Sequence, residues 1–431
     1  MKKQEMSHIT ILDIGTKSLR VLVLENQNER KIVATAVIDI DYIKRGVVTD
    51  VDALTQSIRL AISHIHKTYL AHIDKVIVSL SGTSIGSISS RAEMEIKHKT
   101  GTITDHLIQE LHEKVESRIP ENIIQNKKIV HTIPQEFRID GKRVPTLHPQ
   151  QLRGTHIDMK ALCIFVQKQH LDNILCACEE ADLKVEDVLV SEYAFTRKQI
   201  READRLAGAC IVNIGADTTT VITYDEGVPL LLDVYPIGSQ DITKDLALGL
   251  KVSLSQAEHI KLNPSKGLQD LAKELAEVLI KKQNIAIKKD QREKALYLSL
   301  EERYHEIVYA RLIDIFELVQ QHVRKLRKDK LLPAGVIIHG GGGRIEDVKI
   351  IAKEILHLPI QVLPELEIYK QVCKHKQPDQ YVQYIDSLSA YASGVFFLTQ
   401  HEEESTYKPQ GLSGEQSVFT RIFEWCKQFL P

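Results

Sequence analysis

The chain has 431 residues, of which 43% are hydrophobic and 26% are charged, and its formal net charge at pH 7 is −2. The length predicts two or more domains, and the balanced charge gives no general polyanion-binding signal, although local patches remain possible, so we expect no nucleic-acid partner. No apolar run approaches the roughly 18 residues of a membrane span, and the first residues lack the apolar core of a signal peptide. We therefore expect a cytoplasmic protein whose six cysteines, which lack metal-binding spacing, are free thiols.

The first element with chemical character is a hairpin near the amino terminus. Its first strand ends in DIGTK, which brings Asp13, Gly15, Thr16 and Lys17 into one tight turn before a returning strand over residues 18–25. Glycine lets the backbone approach a ligand closely, and turn N–H groups with a hydroxyl form a place for phosphate. Asp13 would then face the metal ion that accompanies a nucleotide. A buried hairpin with a polar tip explains the same residues, and this stretch alone does not decide between the two.

The next segments alternate between helices and strands. An amphipathic helix over 51–68 and a buried strand over 75–80 indicate an α/β layer architecture. From 84 to 159, strand-like segments flank one charged helix over 104–118, which predicts a compact inserted subdomain. A buried strand over 160–166 is predicted to return the chain to the first domain.

The opening pattern occurs again as CIVNIGADTTT, from Cys210 to Thr220. A repeat separated by about two hundred residues indicates duplicated domains, because solenoid periods are about 20–50 residues. A charged, helix-rich segment over 243–305 predicts a second insertion. Its basic residues, such as Lys251 and Lys261, could meet an acidic peptide or could line a solvated helix face.

A run of four glycines lies between a predicted strand and a predicted helix in the second half of the chain. A strong amphipathic helix over 306–325 and a buried strand over 334–339 precede Gly340-Gly341-Gly342-Gly343, and a helix over 344–356 follows. A glycine run is often only a flexible turn. Because this one lies between a buried strand and a helix, we favour a nucleotide contact.

The carboxy-terminal residues change character twice. Residues 401–417 carry charges, Pro, Ser and Gly with almost no apolar content, which predicts a flexible linker. Residues 418–431 follow helical spacing with one apolar face. Such a tethered helix can lie in a membrane interface or dock in a protein groove, and both remain open here. The residues assigned to membrane binding are Phe419, Ile422, Phe423, Trp425, Cys426, Phe429 and Leu430.

These motifs resemble the actin/Hsp70/sugar-kinase superfamily and, within it, the bacterial cell-division FtsA family. The resemblance covers nearly the whole chain. It is carried by LDIGTKSLRVLV, RGVVTDVDAL, VNIGADTTTVITY, PIGSQDITKDLALGL and GVIIHGGGGRIEDV. The most specific stretch is HTIPQEFRIDG, from His131 to Gly141, which resembles a motif of the inserted 1C subdomain of FtsA. Kinases and chaperones have nothing like it.

The resemblance implies an α/β fold of duplicated actin-like ATPase domains that flank a nucleotide cleft. It also implies that the terminal helix is a membrane-targeting sequence. The implied boundaries are 7–83 and 160–205 for subdomain 1A, 84–159 for 1C, 206–242 and 306–400 for 2A, 243–305 for 2B, 401–417 for the linker and 418–431 for the helix.

The resemblance also implies the activity and the partners. It describes a peripheral protein that binds ATP or ADP with Mg²⁺ and polymerises on the cytoplasmic side of the membrane at the division site. Its partners would be anionic lipids, the FtsZ C-terminal tail through 2B, and later divisome proteins through 1C. A PilM-like scaffold of type IV pilus assembly is the nearest alternative, but such scaffolds lack a terminal membrane helix. A kinase or chaperone-type ATPase is a third.

The residues that the resemblance assigns to the nucleotide come from both halves of the chain. Asp13 would hold Mg²⁺ directly or through water, and no catalytic residue is assigned. The nucleotide-binding residues are Asp13, Gly15, Thr16, Lys17, Asn213, Gly215, Thr218, Thr219, Gly238, Asp241, Lys244, Arg311, Gly340, Gly341 and Gly342.

The second phosphate motif departs from the family pattern. Its first and last positions usually hold Asp, and here they hold Asn213 and Thr220, with Ala216-Asp217 in place of two glycines. Asparagine keeps its hydrogen-bonding capacity but loses the charge that would help to hold Mg²⁺ or orient an attacking water. Asp217 would also repel phosphates unless a cation bridges them. We therefore predict nucleotide binding with weak or absent hydrolysis. A degenerate site that binds no nucleotide is the alternative.

Overall fold

A computed structural model describes residues 8–25, 32–69, 72–97, 100–283, 289–326, 331–364 and 388–406. The strands are β1 (His8–Ile14), β2 (Ser18–Glu25), β3 (Ile32–Asp39), β4 (Ile43–Lys44), β5 (Val47–Val48), β6 (Lys75–Leu80), β7 (Ile85–Glu95), β8 (Lys127–Ile139), β9 (Lys142–Val144), β10 (His156–Gln167), β11 (Lys184–Val190), β12 (Ala209–Ile214), β13 (Thr219–Asp225), β14 (Val228–Tyr235), β15 (Gly335–His339) and β16 (Ile360–Val362). The helices are α1 (Val51–Thr68), α2 (Asp105–Ser117), α3 (Glu121–Ile124), α4 (Lys168–Glu180), α5 (Ser191–Gln199), α6 (Glu202–Ala207), α7 (Ser239–Leu250), α8 (Leu254–Leu262), α9 (Pro264–Gln283), α10 (Lys289–Lys325), α11 (Val348–Leu356) and α12 (Leu388–Thr406).

The chain divides into two compact units. The first comprises the described residues of Met1–Arg205, Val228–Leu231 and Pro364–Pro431, and the second those of Leu206–Gly227 and Leu232–Leu363. In the first unit, a five-stranded sheet has the order β11-β6-β1-β2-β3, with β1 parallel to β6 and antiparallel to β2. Six consecutive residues of β1 are buried, as expected for a central strand that is covered on both faces.

Helix α12 corrects one predicted boundary. The sequence assigned residues 306–400 to subdomain 2A, but α12 packs on α5 and on strands β1, β2 and β6 of the first unit. The hydroxyls of Ser79 and Ser393 are hydrogen-bonded at 2.9 Å within this contact. At Gly394 an added Cβ would lie 2.4 Å from Leu24 Cδ1 and 2.6 Å from Ile11 Cδ1, so a larger residue would displace these side chains or the helix. The helix also continues through Thr406, six residues into the predicted linker.

The insert of the first unit forms a second sheet, with the order β7-β10-β8-β9. The predicted boundary between subdomains 1C and 1A, at residue 160, falls inside a strand of this sheet. Strand β10 is continuous from His156 to Gln167 and pairs antiparallel with both β7 and β8 along its length. The insert therefore extends to the end of β10. The apolar side chains that α2 covers, such as Phe137 and Met159, form its own core.

The motif HTIPQEFRIDG has structural roles within the first unit. His131 Nε2 accepts a hydrogen bond from the Val190 N–H at 3.0 Å, which ties the insert to the end of β11. Burial lowers the pKa of His131 to about 4, so the ring is a neutral acceptor. At the other end of the motif, Asp140 Oδ1 accepts the backbone N–H groups of Thr155 and His156, each at 2.9 Å. The motif thus fixes the turn and the attachment of the insert.

The second unit is built on a sheet of the order β14-β13-β12-β15-β16. Its helices α7, α8, α10 and α11 cover one continuous core that includes Ile214, Leu246, Leu312 and Ile338. The long helix was predicted to begin at Glu306, whereas α10 starts at Lys289. The predicted boundary between 2B and 2A therefore falls inside one continuous helix.

Candidate functional site

The first phosphate-type turn follows β1 in the first unit. The Gly15 N–H donates to the Ser18 carbonyl at 3.1 Å and closes the turn, and the Ile40 N–H donates to the Lys17 carbonyl at 3.0 Å. Thr16 is half-buried and the Lys17 side chain is exposed. The four residues predicted here are Asp13, Gly15, Thr16 and Lys17, and they lie together at one end of the sheet.

Arg20, on strand β2 next to this turn, is a residue that the sequence did not bring to attention. It lies directly opposite Asp13 in the β1–β2 register, and its Nη1 donates to Asp13 Oδ2 at 2.9 Å. The two side chains are only 15% and 4% exposed. Within the described part of the chain, the buried Arg20 Nε has no hydrogen-bond partner. An alternating two-strand pattern with a carboxylate and a guanidinium seven residues apart could have revealed the pair.

The second turn, after β12 in the second unit, repeats this geometry. The Gly215 N–H donates to the Thr218 carbonyl at 2.9 Å. A Cβ added at Gly215 would lie 3.0 Å from the Thr218 carbonyl oxygen, and one added at Gly15 would lie 3.0 Å from that of Ser18. The duplicated sequence pattern therefore folds into two turns with the same hydrogen bond.

The turn before α7 packs on the second phosphate-type turn. The Ser239 N–H donates to the Gly215 carbonyl at 2.9 Å, and Thr219 Oγ1 donates to the Ile237 carbonyl at 2.8 Å. A Cβ at Gly238 would lie 2.3 Å from the Ala216 carbonyl oxygen, so a side chain there is excluded. The sequence motifs of residues 213–220 and 236–250 thus meet at one place.

The first turn of α7 carries its own cap. Asp241 Oδ2 accepts the Gly238 N–H at 3.0 Å, and Asp241 Oδ1 accepts from Lys244 Nζ at 3.0 Å. Asp241 is therefore a capping residue. Arg311 is held on α10, where it pairs with Asp245 at 2.7 Å and with Asp314 at 3.0 Å. These contacts place Arg311 beside α7, and its side chain remains 28% exposed.

The glycine run closes over the end of β12. Gly340 has a φ of +86°, and a Cβ there would lie 2.3 Å from Asn213 Oδ1. A Cβ at Gly342 would lie 2.3 Å from Ile214 Cγ2, whereas at Gly341 the nearest atom is Arg344 Nη2 at 4.0 Å. Gly341–Arg344 form a short 3-10 helix. The helix predicted over 344–356 begins later, at Val348, as α11.

Lys261 is not available to an acidic peptide, which was one of the two roles that the sequence allowed. Its Nζ donates to the Ser239 carbonyl at 3.2 Å and to Thr243 Oγ1 at 2.8 Å, and it pairs with Glu258 at 2.7 Å. Only 6% of its side chain is exposed. Lys261 therefore anchors α8 to the first turn of α7. Lys251 is exposed, as the sequence analysis allowed.

A Mg²⁺ ion fits the first turn only with most of its ligands supplied from elsewhere. Asp13 is already paired with Arg20, and among the described residues no group of three or more His, Cys, Asp or Glu side chains could hold a metal. Mg²⁺ commonly keeps several waters and takes substrate phosphates with one or two carboxylates. Asp13 and Thr16 suit that arrangement, in which the ion supplies charge neutralisation to phosphates.

The membrane-binding residues predicted in 418–431 lie outside the described residues. None of the described helices has the length and apolarity needed to cross a membrane.

The fold and the two phosphate-type turns indicate the class of protein to which the chain belongs. A solved PilM–PilN type IV pilus biogenesis complex is similar, with a TM-score of 0.62 and 15% sequence identity over 90% of this chain and 97% of that one. The chain has two α/β units, and in each unit a glycine–hydroxyl turn follows a central strand. This is the arrangement of the actin-like ATPase fold.

Sequence comparisons then identify the family. The profile described as cell division protein FtsA matches residues 210–390, and the SHS2 domain inserted in FTSA matches residues 82–165. The cell division protein FtsA of Streptococcus pneumoniae is 28% identical over 82% of this chain and 76% of its own length. Those of Pseudomonas aeruginosa and Buchnera aphidicola are 25% and 23% identical, over 81% and 97% of this chain and 81% and 97% of theirs. The chain belongs to the FtsA family of actin-like cell-division proteins.

Proposed function

We propose that the chain binds ATP or ADP with Mg²⁺ through its two glycine–hydroxyl turns and its glycine run. The observation that carries this proposal is the identical closing hydrogen bond in the two turns, at Gly15 and Gly215. Arg20 also brings a positive charge to the position opposite Asp13, next to the first turn. Titrating the full chain with ATP and Mg²⁺ tests the proposal: we expect saturable one-to-one binding, and no binding would overturn it.

The proposed role is that of a membrane adaptor for cell division. Bound to nucleotide, the protein would polymerise on the cytoplasmic side of the membrane at the division site and anchor FtsZ filaments there. The insert would meet later divisome proteins. Membership of the FtsA family supports this role. The likeness to PilM rests on 15% identity and supports the fold alone, so we do not propose a role in pilus assembly.

An apolar and basic surface on α7 and α8 suits the FtsZ C-terminal tail. Leu248, Leu254 and Leu262 are 78%, 61% and 65% exposed, and exposed Lys251 lies between the two helices. We expect Leu248→Glu to weaken binding of an FtsZ tail peptide at least about tenfold, or about 1.4 kcal/mol, in a fluorescence polarisation assay. Leu60→Glu, at a 46% exposed leucine of α1, is the control. Equal affinities of the two variants would contradict this surface.

Membrane attachment is proposed for residues 418–431. We expect full-length protein to sediment with anionic liposomes, because seven apolar and aromatic residues would enter the interface. A chain that ends at Thr406, where α12 ends, should not sediment. Trp425→Glu should abolish sedimentation without changing the circular dichroism spectrum. Equal sedimentation of the full and shortened chains would reject the tail as the anchor.

Weak hydrolysis is proposed because Asn213 stands where the family usually has a carboxylate. Aspartate has the same shape, so Asn213→Asp should fold normally. We expect it to raise steady-state ATP turnover at least about tenfold, because a charged group can then orient water or Mg²⁺. The measurement is phosphate release with and without Mg²⁺. Turnover by the unchanged protein at kinase rates of about 1–100 s⁻¹ would overturn the proposal.

A further inference from the structure

A small hairpin of the first unit contacts both ends of the insert. This neck hairpin, Ile43–Val48, consists of β4, β5 and the Arg45-Gly46 turn. At the entry to the insert, the Thr83 N–H and Oγ1 both donate to the Arg45 carbonyl, at 3.0 and 2.9 Å. At the exit, the Val48 N–H donates to Nδ1 of buried His170 at 3.4 Å. The neck hairpin therefore joins the two chain segments that lead into and out of the insert.

Two glycines make the contact at the entry one of backbone against backbone. Gly46 has a φ of +77° and Gly82 a φ of +115°. A Cβ on Gly46 would lie 2.2 Å from Gly82 Cα, and a Cβ on Gly82 would lie 2.3 Å from Gly46 Cα. No side chain fits at either position without separating the two loops. Close-packed contacts of this kind transmit displacement, because they leave no gap to absorb it.

The same entry loop is attached to the first phosphate-type turn. Leu80, the last residue of β6, pairs with Ile14, the last residue of β1. The next residue, Ser81, donates its hydroxyl to the Ile14 carbonyl at 3.2 Å. The loop Ser81–Thr83 thus contacts the phosphate-type turn at one end and the neck hairpin at the other.

We propose that the neck hairpin couples occupancy of the phosphate-type turn to the position of the insert. The inference rests on the proposed nucleotide site. A ligand that orders the turn at Gly15 would fix the Ile14 carbonyl, then Ser81, and then the Gly82–Gly46 contact that holds the entry to β7. The insert would then favour one orientation when nucleotide is bound, as in any two-state element that a ligand biases. The route is contiguous and lies wholly within the first unit.

Hydrogen exchange on the full chain tests this, with AMPPNP and Mg²⁺ as the probe. In the unchanged protein we expect exchange at least about threefold slower both in the turn, residues 14–18, and in β7. Ser81→Ala removes one hydroxyl and should keep the protection of the turn while losing that of β7. Gly46→Ala should do the same by separating the loops. Gly141→Ala is the control, because its φ is +79° but no atom lies within 4 Å of the added Cβ.

The outcomes separate the coupling from the nucleotide site. Protection of the turn without any change in β7, or an unaltered β7 response in both Ser81→Ala and Gly46→Ala, would overturn the coupling alone. A complete lack of protection in the turn would reject the nucleotide site and the coupling with it. Loss of the β7 response in Ser81→Ala and Gly46→Ala but not in Gly141→Ala would support the proposal. Because Ser81→Ala removes only one hydroxyl, the test stands if Gly46→Ala fails to fold.

Discussion

Replacing Gly342 with alanine is expected to cost at least about tenfold in nucleotide affinity, or about 1.4 kcal/mol. The added Cβ would lie 2.3 Å from Ile214 Cγ2 and 3.0 Å from the Ile214 carbonyl oxygen. Ile214 is fully buried and is followed directly by the second phosphate-type turn. The 3-10 helix must therefore move away from the end of β12. Overpacking of a core typically costs about 1–3 kcal/mol, so the free energy of unfolding should fall as well.

The neighbouring glycine provides a matched control for this prediction. In Gly341→Ala the new methyl group would have only Arg344 Nη2 within reach, at 4.0 Å, and neither Gly341 nor Gly342 has a positive φ. We expect Gly341→Ala to keep the free energy of unfolding within about 0.5 kcal/mol of that of the unchanged protein, since ordinary surface substitutions change stability by less than this amount. Isothermal titration with ATP and Mg²⁺, together with urea unfolding, measures both effects. Equal losses in the two variants would contradict the packing argument.

Replacing Arg20 with methionine is expected to destabilise the first unit by about 3 kcal/mol or more. The change leaves the Asp13 carboxylate, 4% exposed, without the guanidinium that now lies 2.9 Å away. Breaking a buried ion pair at one partner typically costs about 3–5 kcal/mol, because the other charge stays buried and uncompensated. Urea unfolding followed by circular dichroism measures the loss.

The double variant separates the stranded charge from the lost packing. Asp13→Asn with Arg20→Met removes both charges, so we expect it to be more stable than Arg20→Met alone. Lys75→Met is the control for an exposed pair: Lys75 contacts Glu186 at the same 2.9 Å but is 44% exposed, and about 0–1 kcal/mol is expected. An Arg20→Met effect no larger than that of Lys75→Met would show that the Asp13–Arg20 pair contributes little.

The Asp13–Arg20 pair also changes the interpretation of the first turn. From the sequence, Asp13 was expected to hold Mg²⁺ directly or through water. In the structure the carboxylate pairs with Arg20 on the neighbouring strand, which balances its charge. At the end of β12 Asn213 carries no charge, which leaves Asp217 as the acidic residue of the second phosphate-type turn.

Several features were readable from the sequence because they depend on neighbouring residues. Each phosphate-type turn is closed by a hydrogen bond between residues three apart, at Gly15 and Gly215, and the strands around it carry continuous apolar runs. Local hydrogen bonds and burial patterns of this kind leave a clear periodic trace. The duplication and the α/β class followed from that trace, whereas the family was indicated by the resemblance of whole motifs such as HTIPQEFRIDG.

The remaining features were decided by contacts between residues far apart in the chain. Helix α12 belongs to the first unit because it packs on α5, β1, β2 and β6, and no local pattern in residues 388–406 specifies that surface. Strand β10 belongs to the insert because it pairs with β7 and β8, whereas its buried run suits any central strand. Lys261 is buried because Ser239, Thr243 and Glu258 surround its ammonium group. Composition and periodicity report burial and secondary structure, but the choice of partner depends on which surfaces meet, and only the tertiary structure settles that.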